Sequence, residues 1–406
     1  MRRSLLRGLP AGGRRTHGAD APGFAVSERS QAFRARFYPE ASDGQWSDWR
    51  WQVRKGIRTL ASLQRILRLS DDERRAIGNA ASRGFLPMSL PPYYASLLDP
   101  DDPTQGLRRT VIPVGTESVV APHEVIDPLA EDEHTVAPGL VHRYPDRVLF
   151  LSTKFCASYC RFCTRSRLVG ENGETYNLAQ AHWEEALAYI RAHPEIRDVL
   201  ISGGDPLMLS DKTLESLLSA LADIPHVEFI RMGTKAPVAL PQRITPSLLE
   251  ILHRYRPVWM SINVTSKDEI TPEAAQACQR LADAGVPMGS QTVLLRGVND
   301  SVDEMREMMQ ALLQIRVRPY YLYQLDPVAG TSHFRVPVSK GLEIIAGLRG
   351  HTTGYAVPTY VIDCPGGGGK VPISPDNLVG RDGDELLIKN FEGKVFRAPD
   401  PRDIDS

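Results

Sequence analysis

Three cysteines, Cys156, Cys160 and Cys163, fall within eight residues, in the run Cys-Ala-Ser-Tyr-Cys-Arg-Phe-Cys. Packing alone never requires such spacing, so thiolates gathered on one loop read first as metal ligands. A 4Fe–4S cluster is usually held by four thiolates. Three leave one iron with an open position, which is what binding and cleaving a small molecule requires. Structural zinc is the competing reading, but it wants four protein ligands. Neither a second cysteine pair nor a histidine pair stands at zinc spacing, and Cys278 falls in a helical pattern. Cys364 brings the total to five, an odd count that suits a reducing compartment better than a disulfide framework.

A second candidate is Asp363-Cys364-Pro365-Gly366-Gly367-Gly368-Gly369-Lys370. A phosphate-binding Walker loop needs Gly five residues before its Gly-Lys pair and Ser or Thr after it. Those positions hold Cys364 and Val371, so that reading fails. Bare glycine backbone approaches a ligand closely, and a lysine held beside it forms a Schiff base if its neighbours or burial lower its pKa. A solvated lysine on a surface loop is the bland alternative. A third candidate, Ser202-Gly203-Gly204-Asp205-Pro206, follows an apolar run; Gly-Gly after a strand is weak evidence by itself.

The elements that must position these groups read as alternating strands and helices. Strands are expected at 148–152, 199–201, 227–232, 258–264, 288–294, 317–323 and 355–362. Leu214, Leu217, Leu218 and Leu221 mark an amphipathic helix. Further helices are expected at 274–284, closing at Gly285, and near 302–315 and 339–349. This alternation argues for an α/β fold with a parallel sheet. Six or seven repeats fall short of a complete eightfold barrel, so the expectation is a partial (β/α)6-type TIM-like barrel with an N-terminal helical segment. The segments are a flexible basic extension (1–40), a helical N-terminal region (41–135), the barrel (136–375) and a C-terminal segment without a zinc motif (376–406). Trp46, Trp49 and Trp51 suit a helical cap packed onto the larger body. All three candidate motifs fall at C-terminal ends of strands, where parallel α/β folds gather their chemistry.

Composition limits the partners. Forty-eight Lys and Arg against 49 Asp and Glu give a net charge of -1 over 406 residues, so no bulk field favours nucleic acid or an acidic membrane. No apolar run is long enough to span a bilayer. Arg2, Arg3, Arg7, Arg14 and Arg15 precede the first acid, Asp20; this suits an organelle-targeting peptide or a basic tail. A cytoplasmic location is expected.

The cysteine spacing resembles the signature of the radical S-adenosylmethionine superfamily, with Phe162 where that superfamily sets a ring near the adenine. Ser202, Gly203, Gly204 and Asp205 resemble its segment that meets the methionine amino group. The chain from about residue 43 to 396 further resembles the lysine 2,3-aminomutase family, on Trp46 to Gln52, Gly139 to Arg147, Leu240 to Thr245, Gln291 to Asp300, Arg316 to Gln324, the Lys370 segment and Asn390 to Gly393. That resemblance implies an enzyme, an isomerase that moves the α-amino group of a basic L-amino acid, lysine first, to the β-carbon. Its cofactors would be a 4Fe–4S cluster on Cys156, Cys160 and Cys163, S-adenosylmethionine, and pyridoxal 5′-phosphate on Lys370 as a Schiff base. Arg143, Tyr144 and Arg147 match residues around pyridoxal phosphate, and a guanidinium suits its phosphate. Arg143 and Arg147 as surface ion-pair partners are the structural alternative. Gln291 is expected to touch S-adenosylmethionine, and Arg165 the substrate carboxylate. Asp326 and Asp363 match two aspartates that grip the distal ammonium of lysine; paired carboxylates are costly without such a cation.

The resemblance has gaps. Where the family has a His-Phe-Asn-His-Pro-like run, this chain has Asn263-Val264-Thr265-Ser266-Lys267. The family's Cys-rich, zinc-binding tail is not expected here, so any homo-oligomer would lack a zinc link. An electron donor such as flavodoxin or ferredoxin is implied. Arginine is the rival substrate, in a specialised antibiotic pathway. A radical decarboxylase or dehydratase and a non-catalytic metal-binding protein are the other readings.

Overall fold

In the computed structural model, which describes residues 25–80, 86–169 and 180–400, the short apolar runs are strands and most stretches between them are helices. The strands are β1 (Thr135–Ala137), β2 (Leu140–Tyr144), β3 (Arg147–Thr153), β4 (Asp198–Gly203) and β5 (Phe229–Thr234). They continue with β6 (Val258–Asn263), β7 (Met288–Leu294), β8 (Arg318–Gln324), β9 (Thr359–Cys364) and β10 (Gly369–Pro372). These form one 10-stranded sheet in sequence order. From β3 to β9 every neighbouring pair is parallel. β1 and β2 extend one edge antiparallel, and β10 turns back antiparallel on β9 at the other.

Capping chemistry starts the helices between the strands. Ser210, Thr245, Thr271 and Ser301 each accept a hydrogen bond from a backbone amide in the first turn of the helix they precede. The helix Asp211–Ala222 buries the leucine stripe, with Leu214, Leu218 and Leu221 at 0% exposure. Each such side chain contributes about 2 kcal/mol, an upper figure because unfolded chains already bury some surface. The helix Pro272–Asp283 ends as expected, with Gly285 at φ +84°. Cys278 is wholly buried in that helix.

The expected strands coincide with β3 to β8 to within about two residues. At 355–362 the sequence reading starts too early: Gly354–Ala356 is a 3₁₀ turn, and β9 begins at Thr359. The helices Gln180–Ala192 and Pro246–Arg254 and the antiparallel strands β1, β2 and β10 go beyond the expectation. β2 shows no simple alternation because His142, Arg143 and Tyr144 are all half-buried. Residues 1–24 of the expected extension lie outside the described residues, but Glu28–Phe37 is a helix, a correction to the flexible reading. Its cap Ser27 donates to Glu273 at 2.9 Å, which fastens this helix to the body.

The N-terminal region has its own core around Trp46, Trp51, Leu63, Tyr93 and Tyr94. Trp49 packs instead on Ala157 and Leu240 of the body, so the tryptophans do join cap to body. After β10 come β11 (Leu378–Asp382), β12 (Glu385–Lys389) and β13 (Val395–Pro399), a separate three-stranded antiparallel sheet. Residues 401–406 lie outside the described residues. Among the described residues no helix is long and apolar enough to cross a membrane.

Candidate active site

The large sheet does not close through a backbone ladder among the described residues, yet its two ends meet. The Tyr144 hydroxyl of β2 accepts from the Lys370 amide of β10 at 3.0 Å. Arg143 donates to Asp363 Oδ1 at 3.1 Å. The Gly-rich turn makes this meeting possible. Gly366, Gly367 and Gly369 all have positive φ, and a Cβ on Gly367 would stand 2.6 Å from the His134 ring. Asp363 and Lys370 are cross-strand partners, with Lys370 Nζ 2.6 Å from Asp363 Oδ2. Buried Asp363 thus holds one cation on each oxygen.

Behind this seam lies a cavity of about 600 Å³. The residues expected to hold cluster, cofactors and substrate line it: Cys156, Cys160, Phe162, Cys163, Arg165, Arg143, Tyr144, Arg147, Ser202, Gly203, Gly204, Asp205, Gln291, Asp326, Asp363 and Lys370.

The cysteine loop is positioned by close backbone contact with the end of β4. A Cβ on Gly203 would sit 2.3 Å from the Thr153 carbonyl oxygen, and one on Gly204 2.4 Å from that of Phe155. The Gly204 and Asp205 amides donate to those same two carbonyls. Asp205, expected beside S-adenosylmethionine, lines the cavity and is also tied into the fold. Its carboxylate accepts from Leu207 N, Thr234 Oγ1, Lys235 N and Ala236 N, all within 3.1 Å, so it braces the turn. Burial raises its pKa and those four bonds pull it down.

All three thiols are free. Burial pushes Cys160 up to about 11, against a smaller pull from Lys235, and also raises Cys156 and Cys163. Deprotonating them together requires a cationic centre. Three thiols on one loop fit a four-iron cluster with one iron left open, whereas structural zinc takes four protein ligands.

The remaining groups divide by charge. Arg165 is gripped by Glu131, with Nε 3.0 Å from Oε1 and Nη2 2.8 Å from the same oxygen; its Nη1 reaches Ser202 Oγ at 3.3 Å. Burial opposes the Arg165 charge, but Glu131 more than offsets it. Arg147 lies 4.1 Å from the centre of the Tyr144 ring and also bonds exposed Asp146. Arg143 Nε is buried without a hydrogen-bond partner among the described residues, placed to meet an anionic ligand. Gln291 donates to the Tyr323 hydroxyl at 3.2 Å, and Phe162 meets Phe334 edge-on. Asn263, in the divergent run, lines the cavity and weakly donates to the Thr234 carbonyl at 3.4 Å. No side-chain donor among the described residues bonds Asp326; burial, then Asp363, push it up to about 7, while Lys370 and Arg335 pull down.

Sequence reasoning missed Lys235, Glu131 and Glu117. Lys235 Nζ lies 2.5 Å from Glu269 on the same cavity wall as Cys160, and its place just after β5 was a usable signal. Glu117 holds Arg161, inside the cysteine loop, at 2.5 Å with both side chains buried. Glu131 sits in an acidic run that reads as a solvated face.

A family model described as Lysine-2,3-aminomutase matches residues 345–406, and one described as Radical SAM superfamily matches residues 150–312. The L-lysine 2,3-aminomutase of Clostridium subterminale is 48% identical over 368 residues, spanning 91% of this chain and 88% of that one. The Bacillus subtilis (strain 168) protein of the same name is 48% identical over 90% of this chain and 76% of its own. The glutamate 2,3-aminomutase of Clostridioides difficile (strain 630) is 40% identical over 89% and 84%.

Proposed function

The chain belongs to the lysine 2,3-aminomutase family of radical S-adenosylmethionine enzymes, and we propose that it moves the α-amino group of L-lysine to the neighbouring β-carbon. It is an isomerase, and the family's cofactors are a 4Fe–4S cluster, S-adenosylmethionine and pyridoxal phosphate. In our reading the curled sheet is the open wall of a partial barrel, and a reducing protein such as flavodoxin or ferredoxin supplies the electron.

Cys156, Cys160 and Cys163 would hold the cluster, and Lys370, Arg143, Tyr144 and Arg147 the pyridoxal phosphate. Phe162, Ser202, Gly203, Gly204 and Gln291 would surround S-adenosylmethionine, with Asp205 acting through the turn it braces. The chemistry supplied by these groups when bound is a carbon radical that removes hydrogen from the β-carbon and an aldehyde that carries the amino group between carbons. The protein's own part is positioning and exclusion of water. Asp363 Oδ2, 2.6 Å from Lys370 Nζ, holds that amine at the cavity wall, where it would meet the aldehyde. Arg165 is oriented to take the substrate carboxylate through Nη1.

The observation that carries lysine is the state of the two aspartates. Once Lys370 is engaged, Asp363 keeps Arg143 alone, and Asp326 has no bonded donor among the described residues. Two such carboxylates in one cavity call for a cationic side chain, and a lysine ammonium meets that need. The test is an anaerobic assay of lysine, arginine and glutamate side by side, with product analysis for β-amino acids. Lysine should turn over fastest; preference for glutamate would overturn the assignment.

A further inference from the structure

The segment before β1 touches both ends of the proposed substrate site. At one end Glu131, 6% exposed, binds Arg165 in a fork through both of its oxygens. Arg167 reaches the same segment, with Nη2 3.1 Å from Asp127 and 2.9 Å from Asp132. At the other end Glu124, also 6% exposed, accepts from the amides of Gly330 and Thr331 at 3.1 Å each. These residues belong to the loop that begins at Asp326. Val125 completes the attachment: its amide donates to the Pro327 carbonyl at 2.9 Å, and its carbonyl accepts from Ala329 at 3.1 Å.

The segment is also braced around both anchors, and within it the Ala130 amide donates to the Asp127 carbonyl at 3.3 Å. The Ala121 amide donates to Glu124 at 2.9 Å, and the Asp132 amide to Asp127 at 2.9 Å. Ala130 has φ +51°, a conformation that non-glycine residues adopt only when their surroundings over-determine it. It lies directly before Glu131, and Leu129 lines the cavity.

We propose that Glu124 to Glu131 is a ruler: Glu131 is a positioning residue for Arg165, Glu124 one for the Asp326 loop, and the segment joining them sets the length of amino acid accepted. The inference rests on the reading above, in which Arg165 takes the carboxylate and Asp326 the distal ammonium. Its chemistry follows from the two contacts. A guanidinium held in a fork by one carboxylate presents its remaining N–H groups in a fixed plane. A chain one methylene too short then cannot satisfy both ends, and a single methylene is worth roughly 10–200-fold in discrimination. Loosening either anchor lets the ends adjust and erodes that factor.

The experiment compares kcat/KM for lysine and ornithine, which is one methylene shorter, on reconstituted wild type, Glu131→Gln, Glu124→Gln and Arg165→Lys. Iron content and thermal midpoint are checked for each, and lysine and ornithine binding is also measured by calorimetry. In Glu131→Gln the lysine preference should fall by about tenfold, mainly through KM, because Gln keeps the shape but loses the charged fork. Glu124→Gln should shift it in the same direction, which keeps the test decisive if Glu131→Gln folds poorly. An unchanged preference in a folded, iron-replete Glu131→Gln or Glu124→Gln enzyme overturns the ruler. An Arg165→Lys enzyme with unaltered KM overturns the carboxylate reading beneath it, and the ruler with it.

Discussion

Asp326→Asn should stabilise the cofactor-free chain, and do so more as pH rises. Burial, and secondarily Asp363, push the Asp326 carboxyl from an ordinary 3.8 up to about 7. Between those values the folded chain binds a proton that the unfolded chain has released. Stability therefore falls as pH rises through this window, and the full cost is present above about pH 7. Three pH units correspond to roughly 4 kcal/mol at face value. Asp326 is only half-buried and the cavity admits water, so about 1–3 kcal/mol is the realistic range. Asparagine never ionises and escapes this cost. The assay is thermal unfolding of wild type and Asp326→Asn without cofactors, at intervals from pH 4 to 9. The midpoint difference should be near zero at pH 4, grow to a few degrees by pH 7 and level off. A difference that is flat with pH, or that favours wild type at pH 8, would refute the claim that Asp326 is a carboxylate short of a cation.

Three further outcomes follow from the geometry. Gly204→Ala would set a methyl 2.4 Å from the Phe155 carbonyl oxygen, so the loop bearing Cys156 must shift by about 1 Å. Reconstituted iron content, read by electron paramagnetic resonance, should fall; wild-type signal would contradict the tight-contact account. Glu117→Gln leaves Arg161 buried without its carboxylate, which should cost about 3–5 kcal/mol in chemical denaturation and weaken iron retention. Lys370→Ala should abolish the covalent pyridoxal absorbance while leaving iron content intact, since Lys370 stands on β10 and the cysteines on the loop after β3. Loss of both would point to a folding defect.

The sequence alone determined what is local. The cysteine spacing, the Gly-rich turn before Lys370 and the leucine stripe from Leu214 to Leu221 are short-range patterns, and short-range patterns dictate loops, turns and helix faces. A parallel sheet was expected from the alternation of strands and helices, though its strand order was not. Tertiary structure decided what depends on distant partners. Arg143 and Asp363 are 220 residues apart, and only the meeting of the sheet's two ends sets them 3.1 Å from each other. Asp205 was legible as part of a motif, but its four donors come from Leu207 and from Thr234, Lys235 and Ala236 at the end of β5, which no local pattern announces. Glu131 looks like any solvated charge in a one-dimensional reading. A charge acquires its role from burial and from the opposite charge it faces, and both are properties of the folded chain.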